Sequence, residues 1–214
     1  AEVLRPAQGR RAVVNIGGIG NVTLVGGAED PVIGYDTGPG NTLLDAWIQR
    51  CLDRSHDARG DWARTGALIP DMLEQLRNDT YFERSPPKST GPEHFNLTWV
   101  ASRTPNLDDL PPADVQRTLT ELSALSIAHA IHPAQATDVL VCGGGVHNTY
   151  LMERLAALVT PATLASTSRE GIDPDWVEAI AFAWLAKRRM EGVPGNLPTV
   201  SYTHLRAHET RTNR

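Results

Sequence analysis

Asp36 stands in the stretch GYDTGPGNTLLDAWI, an acid among glycines just ahead of a run with helical spacing. Residues Gly34 to Asn41 read as a polar, bend-prone stretch between a strand and a helix start. A carboxylate there has two available roles. It can serve as a general base or touch a metal through water. It can instead close a turn and meet the positive end of a helix dipole. Asn41 and Asp45 already offer local caps, so capping leaves Asp36 without a task.

Three further segments carry residue types that suit chemistry. In NIGGIGN, Gly17 and Gly18 sit in a tight turn, where bare backbone N–H groups can approach an anion. No lysine follows and no helix opens at once, so this is neither a Walker loop nor a dinucleotide fingerprint. A plain hairpin is the competing reading. In VCGGGVHN, Gly143, Gly144 and Gly145 end an apolar strand and precede a helix. Ligands of α/β sheets favour that end of a strand, and tight strand–helix packing would use the same glycines. Glu178 is the one charged residue in WVEAIAFAWLA, a helix apolar nearly all round and therefore expected to be buried. A carboxylate there faces a ligand, or it faces a crevice rim or pairs with an arginine.

Other polar groups point to less. Lys88, Ser89, Thr90 and Glu93 in PPKSTGPE read from local chemistry as solvated loop. His94, His129, His132 and His147 lack ligand spacing, and Cys51 and Cys142 lie far apart in apolar runs. No metal site built from protein side chains is expected. The two cysteines read as buried free thiols of a reducing compartment.

The elements that must position these groups follow from periodicity. Two short strands flank the NIGG turn, and a third, in EDPVIGYD, ends at Asp36. From Thr42 the residues Leu43, Leu44, Trp47, Ile48, Cys51 and Leu52 fall on one helical face. Thr42 and Asp45 have the spacing of a capping box. SHDARGDWARTG reads as loop, ALIPDMLEQLRND as a short helix, and YFERSPPKSTGPEHFNLTWV as a long polar loop. A strong helix follows, with Asp114 as N-cap and Val115, Leu119, Leu122 and Ser126 on one face. DVLVC and ATLAST read as strands on either side of the helix TYLMERLAALV. The last helix has Asp173 as N-cap, Pro174 at its first position, Lys187, Arg188 and Arg189 near its end, and Gly192 as C-cap. Strands first, then helices alternating with single strands, predict an α/β fold with a mixed sheet.

Bulk properties fit that class. The chain has 214 residues, 41% hydrophobic and 21% charged, with a net charge of -5. The acidic balance argues against a nucleic-acid or membrane-surface role. No apolar run is long enough for a membrane span, and no signal peptide is visible. The chain begins at Ala1, and the closing SYTHLRAHETRTNR is unlike what precedes it. Residues 201–214 read as a non-native tail resembling adapter read-through, and residues 1–200 as one unit of a longer protein.

Taken together, NIGGIGNVT, GYDTGPGNTLLDAWI, YFERSPPKSTGPEHFN, VCGGGVHN, GIDPDWVEAIAFAWLA and GNLPTV resemble anhydro-N-acetylmuramic acid kinase, in order, from about Val13 to Val200. That family belongs to the sugar kinase, Hsp70 and actin superfamily. The resemblance implies an α/β, ribonuclease H-like lobe of an actin-like ATPase. It implies ATP and Mg2+, with the magnesium held mostly through ATP and water. The implied reaction opens the 1,6-anhydro ring of 1,6-anhydro-N-acetylmuramic acid with water and phosphorylates O6, in peptidoglycan recycling. By resemblance Asp36 is the base that activates water, Gly17 and Gly18 form a phosphate-side turn, and Gly143, Gly144 and Gly145 an adenosine-side turn. Glu178 is implied as a sugar contact.

Two departures limit the match. The family's N-terminal phosphate loop of the GTS.DG type is absent, and Thr-Gly-Ala after GNLPTV is replaced by SYTHLRAHET. The chain is therefore expected to be the C-terminal lobe, inactive without its N-terminal lobe. Its implied partners are small molecules, with no nucleic acid and no membrane. A homodimer is left open, and a bacterial cytoplasm is implied. Two alternatives stay open: another kinase or ATPase of the superfamily, and a non-catalytic sensor of the sugar or of cell-wall fragments.

Overall fold

The computed structural model describes residues 4–193 and residue 195. The alternating apolar residues of RAVVNI and IGNVTLV form a hairpin, β1 (Arg11–Ile16) and β2 (Ile19–Val25). Strand β3 (Ile33–Pro39) pairs antiparallel with β2. Strand β4 (Asp138–Cys142) runs parallel to β1, and β5 (Thr163–Ser166) parallel to β4. The order β3-β2-β1-β4-β5 is the mixed sheet that the sequence predicts.

Eight α-helices are described: α1 (Thr42–Leu52), α2 (Asp61–Thr65), α3 (Pro70–Arg77), α4 (Thr80–Glu83), α5 (Leu97–Arg103), α6 (Pro112–Ile131), α7 (Thr149–Val159) and α8 (Val177–Met190). Val14, Ile16, Val22, Val139 and Val141 of the sheet pack with Ala124 and Ile127 of α6 and Leu151 and Leu155 of α7. A second core gathers Leu43, Leu44 and Trp47 of α1, Leu76 of α3, Val100 of α5 and Leu119 of α6 around Phe95. Helix α6 serves both cores, so 14 of its 20 residues are buried rather than a single face.

Several local expectations are corrected. Strand β3 continues through Asp36 to Pro39, so Asp36 lies in a strand and not in a turn. Asn41 is the N-cap residue of α1, but neither it nor a Thr42–Asp45 box supplies a side-chain cap. The Asn41 amide instead donates to the Ile16 carbonyl at 3.3 Å. Leu43, Leu44, Trp47 and Ile48 are buried as predicted, whereas Cys51 is partly exposed and Leu52 exposed. The segment read as loop before residue 66 contains α2, because buried Asp57 caps it by accepting from Trp62 N–H and Ala63 N–H. The long polar segment begins with α4, capped by Asp79, and ends with α5, capped by Asn96. Asp114 lies inside the first turn of α6 and accepts from Ala67 N–H at 2.8 Å.

The largest correction concerns α8. It starts after Trp176, since Asp173 bonds Asp175 N–H and the Pro174 carbonyl accepts from Gly143 N–H. Its C-cap is Glu191, with Gly192 next at φ 67°. No residue of α8 is buried, and Phe182 is 70% exposed. An all-round apolar pattern reports an apolar surface and does not say what covers it. Among the described residues, no helix is long and apolar enough to cross a membrane. The expected foreign tail, 201–214, lies outside the described residues, as does most of GNLPTV.

Candidate active site

Strand register puts three polar residues side by side. Asn15 on β1 pairs with Asn21 on β2, and Asn21 pairs with Asp36 on β3. On its other side Asn15 pairs with Cys142 of β4. The β2–β3 register shifts at Gly20/Asn21, because Gly20 pairs with Gly38 and leaves Thr37 unmatched. Such bulges re-aim side chains. Here Thr37 turns inward and its hydroxyl donates to the Gly20 carbonyl at 3.2 Å.

Asp36 is held on every side. The Asn21 amide donates to Oδ1 at 3.0 Å. The Ser89 hydroxyl donates to Oδ2 at 2.9 Å, and Thr90 N–H donates to Oδ2 at 3.0 Å. All three partners are donors, as an acceptor-only carboxylate requires. The Asp36 backbone is tied as well: its N–H donates to the Lys88 carbonyl, and its carbonyl accepts from the Tyr81 hydroxyl at 2.7 Å.

The loop that reaches Asp36 is anchored by Lys88. Contrary to the reading of this loop as solvated, Lys88 is buried, and its Nζ donates to the Tyr81 and Phe82 carbonyls. Its ammonium lies 4.8 Å from the centre of the Tyr81 ring. Burial, then the nearby Arg84 charge, pulls the Lys88 ammonium below the ordinary lysine range. Glu93 is exposed.

Both glycine turns acquire structural duties. The Gly18 carbonyl accepts from Gly40 N–H and Thr42 N–H, and the Gly17 carbonyl from Asn41 N–H. The hairpin thereby satisfies donors at the start of α1 that have no partner inside the helix. A Cβ on Gly40 would lie 2.4 Å from the Gly17 oxygen, so the approach depends on glycine. Gly143 has φ 81°, and a Cβ there would lie 2.2 Å from Asn15 Oδ1. Gly145 packs against Ile16, while a Cβ on exposed Gly144 would meet nothing within 4 Å. Two of the three glycines thus serve packing, and the third leaves backbone open to solvent.

Glu178 is exposed, against the expectation of a buried carboxylate, and its Oε1 accepts from the Asn15 amide at 3.2 Å. The sheet thus brings Asp36 and Glu178 to the two ends of one polar row, through Asn21 and Asn15. The Gly143 turn lies beside Asn15. Sequence reasoning passed over Asn15, Asn21 and Tyr81. A signal existed for the asparagines: in a hairpin centred on Gly18, positions 15 and 21 must face each other. A groove of about 980 Å³ runs along the other side of β3, lined by Tyr35, Phe82, Lys88, Leu122 and His129. Asp36, Asn21 and Glu178 do not line it. Among the described residues, no three His, Cys, Asp or Glu side chains gather as metal ligands.

A family model described as anhydro-N-acetylmuramic acid kinase matches residues 1–207. The chain belongs to that kinase family. The anhydro-N-acetylmuramic acid kinase of Pseudomonas syringae pv. tomato is 52% identical over 193 residues, covering 89% of this chain and 53% of that protein. The protein of the same name from Shewanella sp. strain W3-18-1 is 47% identical over 193 residues, covering 90% of this chain and 52% of its own length. The chain spans about half the length of the curated relatives it matches.

The activator of the 2-hydroxyisocaproyl-CoA dehydratase from Clostridium difficile, solved with bound ADPNP, superposes with a TM-score of 0.53. It is 13% identical, and the match covers 90% of this chain and 65% of that one. That likeness concerns the fold alone, an α/β lobe of the actin-like ATPase type. The residues matched by the family model include Asp36, which stands in DTGPGN and in the strand that carries the row.

Proposed function

We propose that this chain is the C-terminal lobe of an ATP-dependent kinase acting on 1,6-anhydro-N-acetylmuramic acid. The reaction consumes water, the anhydro sugar and ATP, and gives N-acetylmuramic acid 6-phosphate and ADP. Water attacks the anomeric carbon, the bond from that carbon to O6 breaks, and O6 takes the γ-phosphoryl group. Asp36 receives the proton that water gives up. The carrying observation is the Asp36 carboxylate itself, tied at both backbone groups and at both oxygens. A base so fixed is oriented before substrate arrives.

The remaining roles follow the same reading. Gly17 and Gly18 lie on the phosphate side and Gly143 to Gly145 on the adenosine side, where exposed Gly18 and Gly144 leave backbone uncovered. Glu178 contacts the sugar from the far end of the row. Magnesium, which keeps its water and prefers phosphate oxygens, would be held mainly by ATP and would neutralise phosphate charge. The setting is the recycling of peptidoglycan fragments in a bacterial cytoplasm.

The test is Asp36→Asn in the full-length polypeptide. Loss of the base should lower kcat by about 10²–10⁴-fold. Phosphorylation at a near-normal rate would sink the assignment. The 214-residue chain alone should show no turnover, and robust turnover by it would contradict the reading of one lobe of two.

A further inference from the structure

The two carboxylate oxygens of Asp36 are not equivalent. A carboxylate offers about four lone-pair positions, two on each oxygen. Oδ2 takes two donors, the Ser89 hydroxyl at 2.9 Å and Thr90 N–H at 3.0 Å. Among the described residues, Oδ1 takes one, the Asn21 amide at 3.0 Å. A water approaching Asp36 therefore finds an open acceptor position on Oδ1 and none on Oδ2.

The donors on Oδ2 come from a segment more than fifty residues away in sequence, and that segment is secured by bonds other than those to the Asp36 carboxylate. Lys88 is buried and bonds the Tyr81 and Phe82 carbonyls of α4. Its own carbonyl accepts from Asp36 N–H at 3.2 Å. These bonds fix the segment against β3, so Ser89 and Thr90 meet the carboxylate in one geometry.

We propose that Lys88–Thr90 is a positioning strap for the reaction: Ser89 and Thr90 N–H occupy Oδ2 and so assign proton acceptance to Oδ1. This rests on the reading of Asp36 as the base. Ser89 touches neither water nor sugar in this scheme and acts through Asp36 alone. In the ring-opening step, one proton passes from water to Oδ1 as the water oxygen bonds the anomeric carbon. The bond to O6 breaks with its electron pair on O6, which takes the phosphoryl group from ATP.

The experiment compares Ser89→Ala, Ser89→Thr and Asp36→Asn in the full-length polypeptide with the anhydro sugar and ATP. Ser89 is exposed, so its variants should fold, and an unchanged unfolding midpoint verifies that. Losing a hydrogen bond to a charged group should lower kcat by about ten- to a hundredfold in Ser89→Ala. KM for the sugar should stay within about twofold, because the ground-state contacts are untouched. Ser89→Thr, which keeps the hydroxyl, should recover most of kcat. An inactive Asp36→Asn beside a Ser89→Ala of normal kcat would overturn the strap and leave the base reading intact. A fully active Asp36→Asn would overturn the base reading itself, and the strap with it.

Discussion

The Tyr81 hydroxyl donates to the Asp36 carbonyl at 2.7 Å, joining the second core to the strand that carries the acid. Tyr81 is fully buried, with its ring edge-on to Phe95 at 5.5 Å. The placement of Asp36 is therefore inherited from an aromatic core outside the sheet. Tyr81→Phe keeps the ring and removes only the hydroxyl. It should cost about 1–2 kcal/mol in urea unfolding and lower kcat more than it raises KM. Unaltered stability and turnover would show that the bond holds nothing.

Asp79 is the polar centre of the same core. Its side chain is 4% exposed and accepts from Tyr81 N–H, Trp99 Nε1 and Arg103, with His94 Nε2 at 3.1 Å. Burial pushes its carboxyl up, but Trp99, the Tyr81 N–H and His94 together outweigh that and hold it below the usual range. A depressed carboxylate stabilises the fold fully above its unfolded value, near pH 4, and that stability is lost as pH falls through the lower folded value. Asp79→Ala should cost about 3–5 kcal/mol at neutral pH and should flatten the acid limb of a stability–pH curve. An acid limb identical to the parent's would refute the assignment.

Glycine substitutions should separate packing from binding. Gly40→Ala places a methyl 2.4 Å from the Gly17 oxygen, a backbone atom that cannot swing away. We expect a loss of about 1–3 kcal/mol or more in chemical denaturation. At Gly144 an added methyl meets nothing within 4 Å, so stability should hold. With the adenosine-side role proposed above, Gly144→Ala should raise KM for ATP while leaving the unfolding midpoint in place. A KM for ATP equal to the parent's would remove Gly144 from the nucleotide site.

Cys142 is buried, and burial followed by the Glu178 charge pushes its thiol up to about 11. The thiolate is the reactive form. At pH 8, maleimide should leave Cys142 unlabelled until denaturant is added, as read by mass spectrometry. Glu178→Gln should bring the thiol down, since one of the two causes is removed. Rapid labelling of the native protein at Cys142 would contradict its burial.

Much of the fold was legible because it is local. Alternation in RAVVNI and the 3.6-residue spacing of TLLDAWIQ each report one buried face, and both elements formed where that pattern places them. The helix ends were read less well. Candidate capping side chains are taken up by distant backbone groups: the Asn41 amide donates to the Ile16 carbonyl, and the Asp114 carboxylate accepts from Ala67 N–H. Asp57 caps α2 from within the segment read as loop, by accepting from Trp62 N–H and Ala63 N–H. In the candidate site, Asp36 stood out by its glycine-rich motif, whereas Ser89 and Thr90 looked like ordinary loop residues. Nothing near them in sequence announces a carboxylate more than fifty positions away.

The sequence by itself determined the order of the five strands and of the longer helices, the family through its motifs, and Asp36 as the candidate base. Those properties reside in residue types and short spacings. Only the tertiary structure decided that Asn15, Asn21 and Asp36 form one row, that Lys88 is buried, and that α8 lies exposed. Each depends on strand register or on what packs against a surface. Those are relations between distant segments, set by the whole fold and invisible to a local pattern.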